Sequence, residues 1–189
     1  MEKTSVQKLA AALRVLVVIA FVCNLIALLL VPGMALMKGP EGLSELTPYE
    51  NPFELPLRLA ITFLFSWGWV WSAGSYEIVL TLFLLVCGVC TALILWQAKR
   101  ILNAMLRGEV FTVDNARSMK RASFCSLVIA AAALIRLVWG LIHYGSMGPL
   151  LTYNALFVPV FAMGFLLFQV MSALFRQAAE MKAEQDLTI

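Results

Sequence analysis

The chain has 189 residues, of which 62% are hydrophobic and only 13% charged, with a mean hydropathy of +0.89. A soluble domain is about 45 to 50% apolar, so a soluble globular core of this length is excluded and an integral membrane protein is indicated. The formal net charge of +3 is too small for a nucleic-acid-binding surface, and no direct nucleic acid contact is expected.

The first span is expected over residues 13–34, overlapping the uncharged stretch 15–37. Its basic start and apolar middle imitate a secretory signal. The apolar run is too long for one, however, and Pro32-Gly33-Met34-Ala35 makes a poor cleavage site, so it reads as an uncleaved anchor. An outward connection over 35–77 follows, with Pro40, Pro48, Pro52 and Pro56 among Glu41, Glu45, Glu50 and Glu54, a turn-rich composition.

Within that connection, Leu59 to Tyr76 is again uncharged. It does not read as a fifth span, because crossing there would leave only Glu77 to turn the chain and would put the most basic loop on the wrong side. Leu59, Ile61, Phe63, Phe65, Trp67, Trp69 and Trp71 alternate with mostly smaller residues, which predicts a strand or an extended interfacial segment. The competing reading is a helical extension of the next span, packed through its aromatics.

The second span is expected over 78–98. It contains Cys87-Gly88-Val89-Cys90, a C-x-x-C spacing that in outline suggests quinone-linked disulfide chemistry. Such enzymes need an exposed shuttle pair on the outer side, and residues 32–77 hold no Cys. Cys is also a small residue that packs well between helices, so the redox reading of Cys87 and Cys90 is a minor alternative.

The connection 99–121 carries Lys99, Arg100, Arg107, Arg117, Lys120 and Arg121. The run after Trp96 continues the second helix to a stop at Gly108, and Thr112 can cap a new helix with Asp114 in its first turn. Leu106-Arg107-Gly108-Glu109-Val110-Phe111-Thr112-Val113-Asp114-Asn115-Ala116-Arg117 resembles the linker of the bacterial membrane family known as domain of unknown function 2975. The ending Glu184-Gln185-Asp186-Leu187-Thr188-Ile189 is similar to the acidic end of that family. The resemblance implies a small bacterial inner-membrane protein without an assigned enzymatic activity, often encoded beside a helix-turn-helix transcription regulator. On that implication, Arg107, Phe111, Asp114, Asn115, Glu184 and Asp186 are the candidate partner contacts.

The third span is expected over 122–144, with Arg136 as its single charge. A central Arg is costly in a bilayer, about 2.5 to 3.5 kcal/mol on insertion scales. Arg136 either snorkels to the near surface, pairs with Glu77, or lines a polar cavity with Asn24 and Gln169 that could take an anionic ligand. His143, at the end of this span, has no second His or Cys at metal-ligand spacing, so neither a metal nor a cofactor is expected. The fourth span is expected over 150–175, with Pro159 and Gly164 serving helix shape and close packing, and a tail follows over 176–189.

Basic residues decide the orientation. Lys3, Lys8, Arg14, the six at 99–121, Arg176 and Lys182 lie on one side of a four-span arrangement, and only Lys38 and Arg58 on the other. Both termini and the 99–121 connection are therefore expected in the cytoplasm. The expectation is an all-α, four-transmembrane-helix bundle in the bacterial inner membrane, in contact with lipids and able to form a homo-oligomer. Its expected role is non-enzymatic: relaying a membrane or envelope signal to a cytoplasmic partner, with ligand binding or transport around Arg136 as the alternative.

Overall fold

The computed structural model describes residues 5–36, 63–72, 74–151 and 153–187. Four long helices account for most of them: α1 (Ser5–Leu36), α2 (Ser75–Leu106), α3 (Val113–Tyr144) and α4 (Tyr153–Leu187). Each contains a stretch long and apolar enough to cross a bilayer, in agreement with the four expected spans and making this a multi-pass membrane protein. No strand occurs among the described residues. In hydrocarbon a helix satisfies its own backbone hydrogen bonds, whereas an isolated strand cannot.

The helices alternate in direction. The Phe21 and Trp96 rings lie 5.9 Å apart, while Leu28 packs where Gly88 leaves room. Tyr76 at the start of α2 meets Trp139 and Tyr144 at the end of α3, each at 6.4 Å. Between α3 and α4, Ser126 Oγ donates to the Phe161 carbonyl and Ser172 Oγ to that of Ala116, both at 2.8 Å. In every pair residue numbers rise on one helix as they fall on the other. The amino end of α1, the α2–α3 turn and the carboxyl end of α4 therefore share one end of the molecule, called here the turn end.

Extensive packing among the described residues runs between successive helices, α1 on α2, α2 on α3 and α3 on α4, without α4 closing onto α1. The expected bundle is thus an open row. Helix α3 has the most buried surface because its inner face is small: Ala116, Ala122, Ser123, Ser126, Ala130 and Ala133 are all buried. Small residues let backbones approach where lipid is as apolar as leucine and burial itself drives little. Between α3 and α4, a Cβ on Gly164 would lie 2.9 Å from Ser126 Oγ. The apolar centre is Cys90, Cys125 and Ile129, flanked by Cys87, Ile94, Val128 and Phe161.

The aromatic run departs from the extended reading. Residues 63–69 are α-helical and Val70–Ser72 form a 3-10 turn. The buried positions, Ser66 and Val70, are spaced four apart, while Phe65, Trp67, Trp69 and Trp71 are exposed. The period-two aromatics therefore do not mark a buried strand face; they lie around the outside of a helix whose packing face is small. Trp67 Nε1 donates to the Leu29 carbonyl at 3.2 Å, tying the segment to α1 near Pro32. The proline-rich stretch 38–56 and residues 59–62 lie outside the described residues.

Candidate functional site

At the end of the row opposite the turn, a cavity of about 360 Å³ opens between α2 and α3. Arg136, Trp139 and Gly140 line it from α3, three and four residues apart and hence on one helix face. Tyr76 contributes from the first turn of α2, and Tyr144, Ser146 and Pro149 close it from the chain leaving α3. Gly145 makes that exit possible: its φ of +58° is the left-handed conformation that ends α3, with its N–H bonded to the Leu141 carbonyl at 3.0 Å.

The cavity wall is an aromatic frame. Trp139 stacks on His143 at 4.8 Å and 10°, His143 meets Tyr144 edge-on at 5.2 Å, and Tyr76 touches both Trp139 and Tyr144. The Arg136 guanidinium carbon lies 4.7 Å from the centre of the Phe83 ring, a cation–π distance. Glu77, beside Tyr76 in the sequence, is buried in the first turn of α2, where a carboxylate suits the helix dipole. One guanidinium within flat apolar walls fits a molecule with a negatively charged head and an apolar body.

The other sequence-selected polar residues lie elsewhere. Asn24 faces α2 one turn along from Phe21, and its Oδ1 is buried with no hydrogen-bond partner among the described residues. Gln169 belongs to a groove at the turn end, between α3 and α4. Arg136 and Glu77 therefore share one end of the molecule, and the wider cavity with Asn24 and Gln169 is not formed. Sequence reading missed Tyr76, Trp139 and Tyr144 as lining residues. The available signal was their placement within eight residues of Arg136 or beside Glu77.

Three of the four thiols form a packed cluster, while Cys23 is exposed. All four cysteines are free, and Cys90 and Cys125 are buried together with Cys87 against them. Among the described residues, no group of three His, Cys, Asp or Glu side chains could hold a metal ion.

The turn end follows its expected capping. α2 stops in a Schellman arrangement, with Glu109 N–H bonded to the Ala104 carbonyl at 3.0 Å and Gly108 N–H to that of Met105 at 3.1 Å; Gly108 has φ +80°. Thr112 caps α3 through Oγ1, which accepts from Asn115 N–H at 3.3 Å. Asn115 itself is buried, and its Nδ2 donates to the carbonyls of Glu109 at 3.1 Å and Val110 at 2.8 Å. It is an internal clamp on the turn, whereas Arg107, Phe111, Asp114 and Glu184 remain on the surface. The side chain of Asp186 lies outside the described residues. Phe111 reaches the buried Phe175 of α4 at 5.8 Å between ring centres, so the turn is fastened to the fourth helix.

No curated protein and no solved structure matches the chain. The family model described as protein of unknown function (DUF2975) matches residues 9–189, spanning the linker, the four helices and the acidic end on which the resemblance was based, and the chain belongs to that family.

Proposed function

We propose that this is a non-enzymatic receptor of the bacterial inner membrane that holds an amphipathic anion in the Arg136 cavity. The turn end faces the cytoplasm, as the excess of basic residues there requires, and the cavity opens near the outer leaflet. The observation that carries the reading is the convergence of Arg136 with Tyr76, Trp139 and Tyr144 on one cavity of about 360 Å³. That volume is at the lower end of small-molecule sites, roughly 300 to 1,000 Å³. Native mass spectrometry of the protein extracted from its own membranes tests this. The wild type is expected to carry an anionic amphiphile that the folded Arg136→Gln variant has lost; equal occupancy in both would reject the site.

A second reading, relay to a cytoplasmic partner such as a helix-turn-helix regulator, draws support from the fastening of the turn to α4. Phe111 on Phe175 and Ser172 on Ala116 link α2, α3 and α4 at the end where Arg107, Asp114 and Glu184 are exposed. A shift of α3 against α4 would move these groups together. Crosslinking from intact membranes, with the full chain compared against a chain lacking residues 176–189, is expected to recover a regulator only with the full chain. Recovery of no such protein would leave this reading without support.

A further inference from the structure

A second groove, of about 770 Å³, lies between α3 and α4 at the turn end, far from the Arg136 cavity. Its α3 wall is Ala116, Arg117 and Lys120, one helical face; Arg176, with Gln169 and Ser172, forms the α4 wall. The two walls are held in register by the bond from Ser172 Oγ to the Ala116 carbonyl at 2.8 Å. We propose that this groove binds the phosphodiester headgroup of an anionic phospholipid, a site that is separate from the Arg136 cavity and does not depend on it.

Charge is the first argument. Three cations, Arg117, Lys120 and Arg176, line the groove against one carboxylate, Glu180. Glu180 is engaged by Arg176 at 2.9 Å, and Arg117 faces Asp114 at 3.7 Å, both side chains being largely exposed. Lys120 has no carboxylate partner among the described residues. The groove therefore keeps an excess of positive charge around an uncompensated ammonium, with the amide of Gln169 as a further donor toward phosphate oxygens.

Depth is the second argument. Lys120 is 19 residues from Trp139 on the same helix, or about 28 Å at 1.5 Å per residue. The hydrocarbon core is about 30 Å thick. With Trp139 at one membrane boundary, Lys120 reaches the other, at headgroup level. Deeper in the groove, exposed Val170 offers an apolar wall leading into the bilayer. A free anion would use the cations alone, but a phospholipid would use the cations and this wall together. Basic pockets between helices on the cytoplasmic side are suited to anionic headgroups for these reasons.

The test is titration of the full-length protein in detergent, followed by native mass spectrometry, with phosphatidylglycerol, phosphatidylcholine of the same chains, and inorganic phosphate as separate probes. Phosphatidylglycerol is expected to bind well above phosphatidylcholine, and Lys120→Gln with Arg176→Gln to weaken it about thirty-fold, from the two charges removed. Lys120→Arg should retain binding, and the same loss of about thirty-fold is expected when Lys120→Gln and Arg176→Gln are introduced into a chain already carrying Arg136→Gln, which separates this site from the other cavity. All the altered groups at the groove are exposed, so a folded variant is obtainable. Equal binding of the two lipids, or undiminished phosphatidylglycerol binding in the double variant, would overturn the proposal. Inorganic phosphate competing at equal concentration would also overturn it, by assigning the cations to a free anion.

Discussion

Asn115 shows how much one side chain can decide. A residue whose sequence context suggested a partner contact is buried and donates twice to the backbone of the turn it follows. Replacing it with Ala strands two carbonyls, and at about 1 to 1.5 kcal/mol per hydrogen bond the loss should reach roughly 2 to 3 kcal/mol. Limited proteolysis should then cut 107–112 faster than in the wild type, with α1–α2 packing unaffected; unchanged cleavage would mean that the caps hold the turn alone. At Gly164 the issue is distance. An Ala there must move Ser126 Oγ from its bond to Phe161, costing roughly 1 kcal/mol. In a double-mutant cycle, Gly164→Ala should therefore cost less once Ser126 is already Ala. Strict additivity would show that the two do not share that contact.

At the scale of elements, the linker was readable because its signals are local. Gly108 at φ +80° and Thr112 bonded to Asn115 N–H are set by residues within a few positions of each other. Gly108→Ala should destabilise the turn by about 1 to 2 kcal/mol, the penalty of a left-handed Cβ, measured as a lower unfolding midpoint in detergent. The aromatic run was misread because its pattern answers to solvent and not to core. Trp is comfortable at a membrane interface, so the conspicuous residues at 65, 69 and 71 need no buried face, Trp67 is held by its bond to the Leu29 carbonyl, and the helix packs through Ser66 and Val70. A nitroxide scan of 63–72 should show mobility repeating every three to four residues, with minima at 66 and 70. A period of two would restore the extended segment.

At the scale of the molecule, the arrangement is an open row with α3 most deeply packed. Paired cysteines introduced across α1 and α2, at the level of Phe21 and Trp96, should crosslink readily, whereas pairs between α1 and α4 should not within one chain. Efficient α1–α4 crosslinking in the monomer would mean that the row closes. The exposed apolar faces of α1 and α4 follow from the same arrangement: in a bilayer, Leu166 and Leu167 meet acyl chains and need no burial.

The sequence alone determined the number of spans, the turn between α2 and α3 with its glycine and threonine caps, and the family, because charge-free length is read from one contiguous stretch and capping residues act over one or two helical turns. It also singled out Arg136, since a charge in hydrocarbon is expensive wherever it falls. Tertiary structure decided which polar residues meet. Arg136 shares its end of the molecule with Glu77 and a cavity with Tyr76, Trp139 and Tyr144, while Gln169 joins Lys120 and Arg176 at the other end. Convergence depends on the rotation and register of each helix about its neighbour, and in this chain those are set by small side chains such as Ser126 and Gly164 at the points of closest approach. Such contacts join residues more than thirty positions apart, and no local pattern in the chain records them.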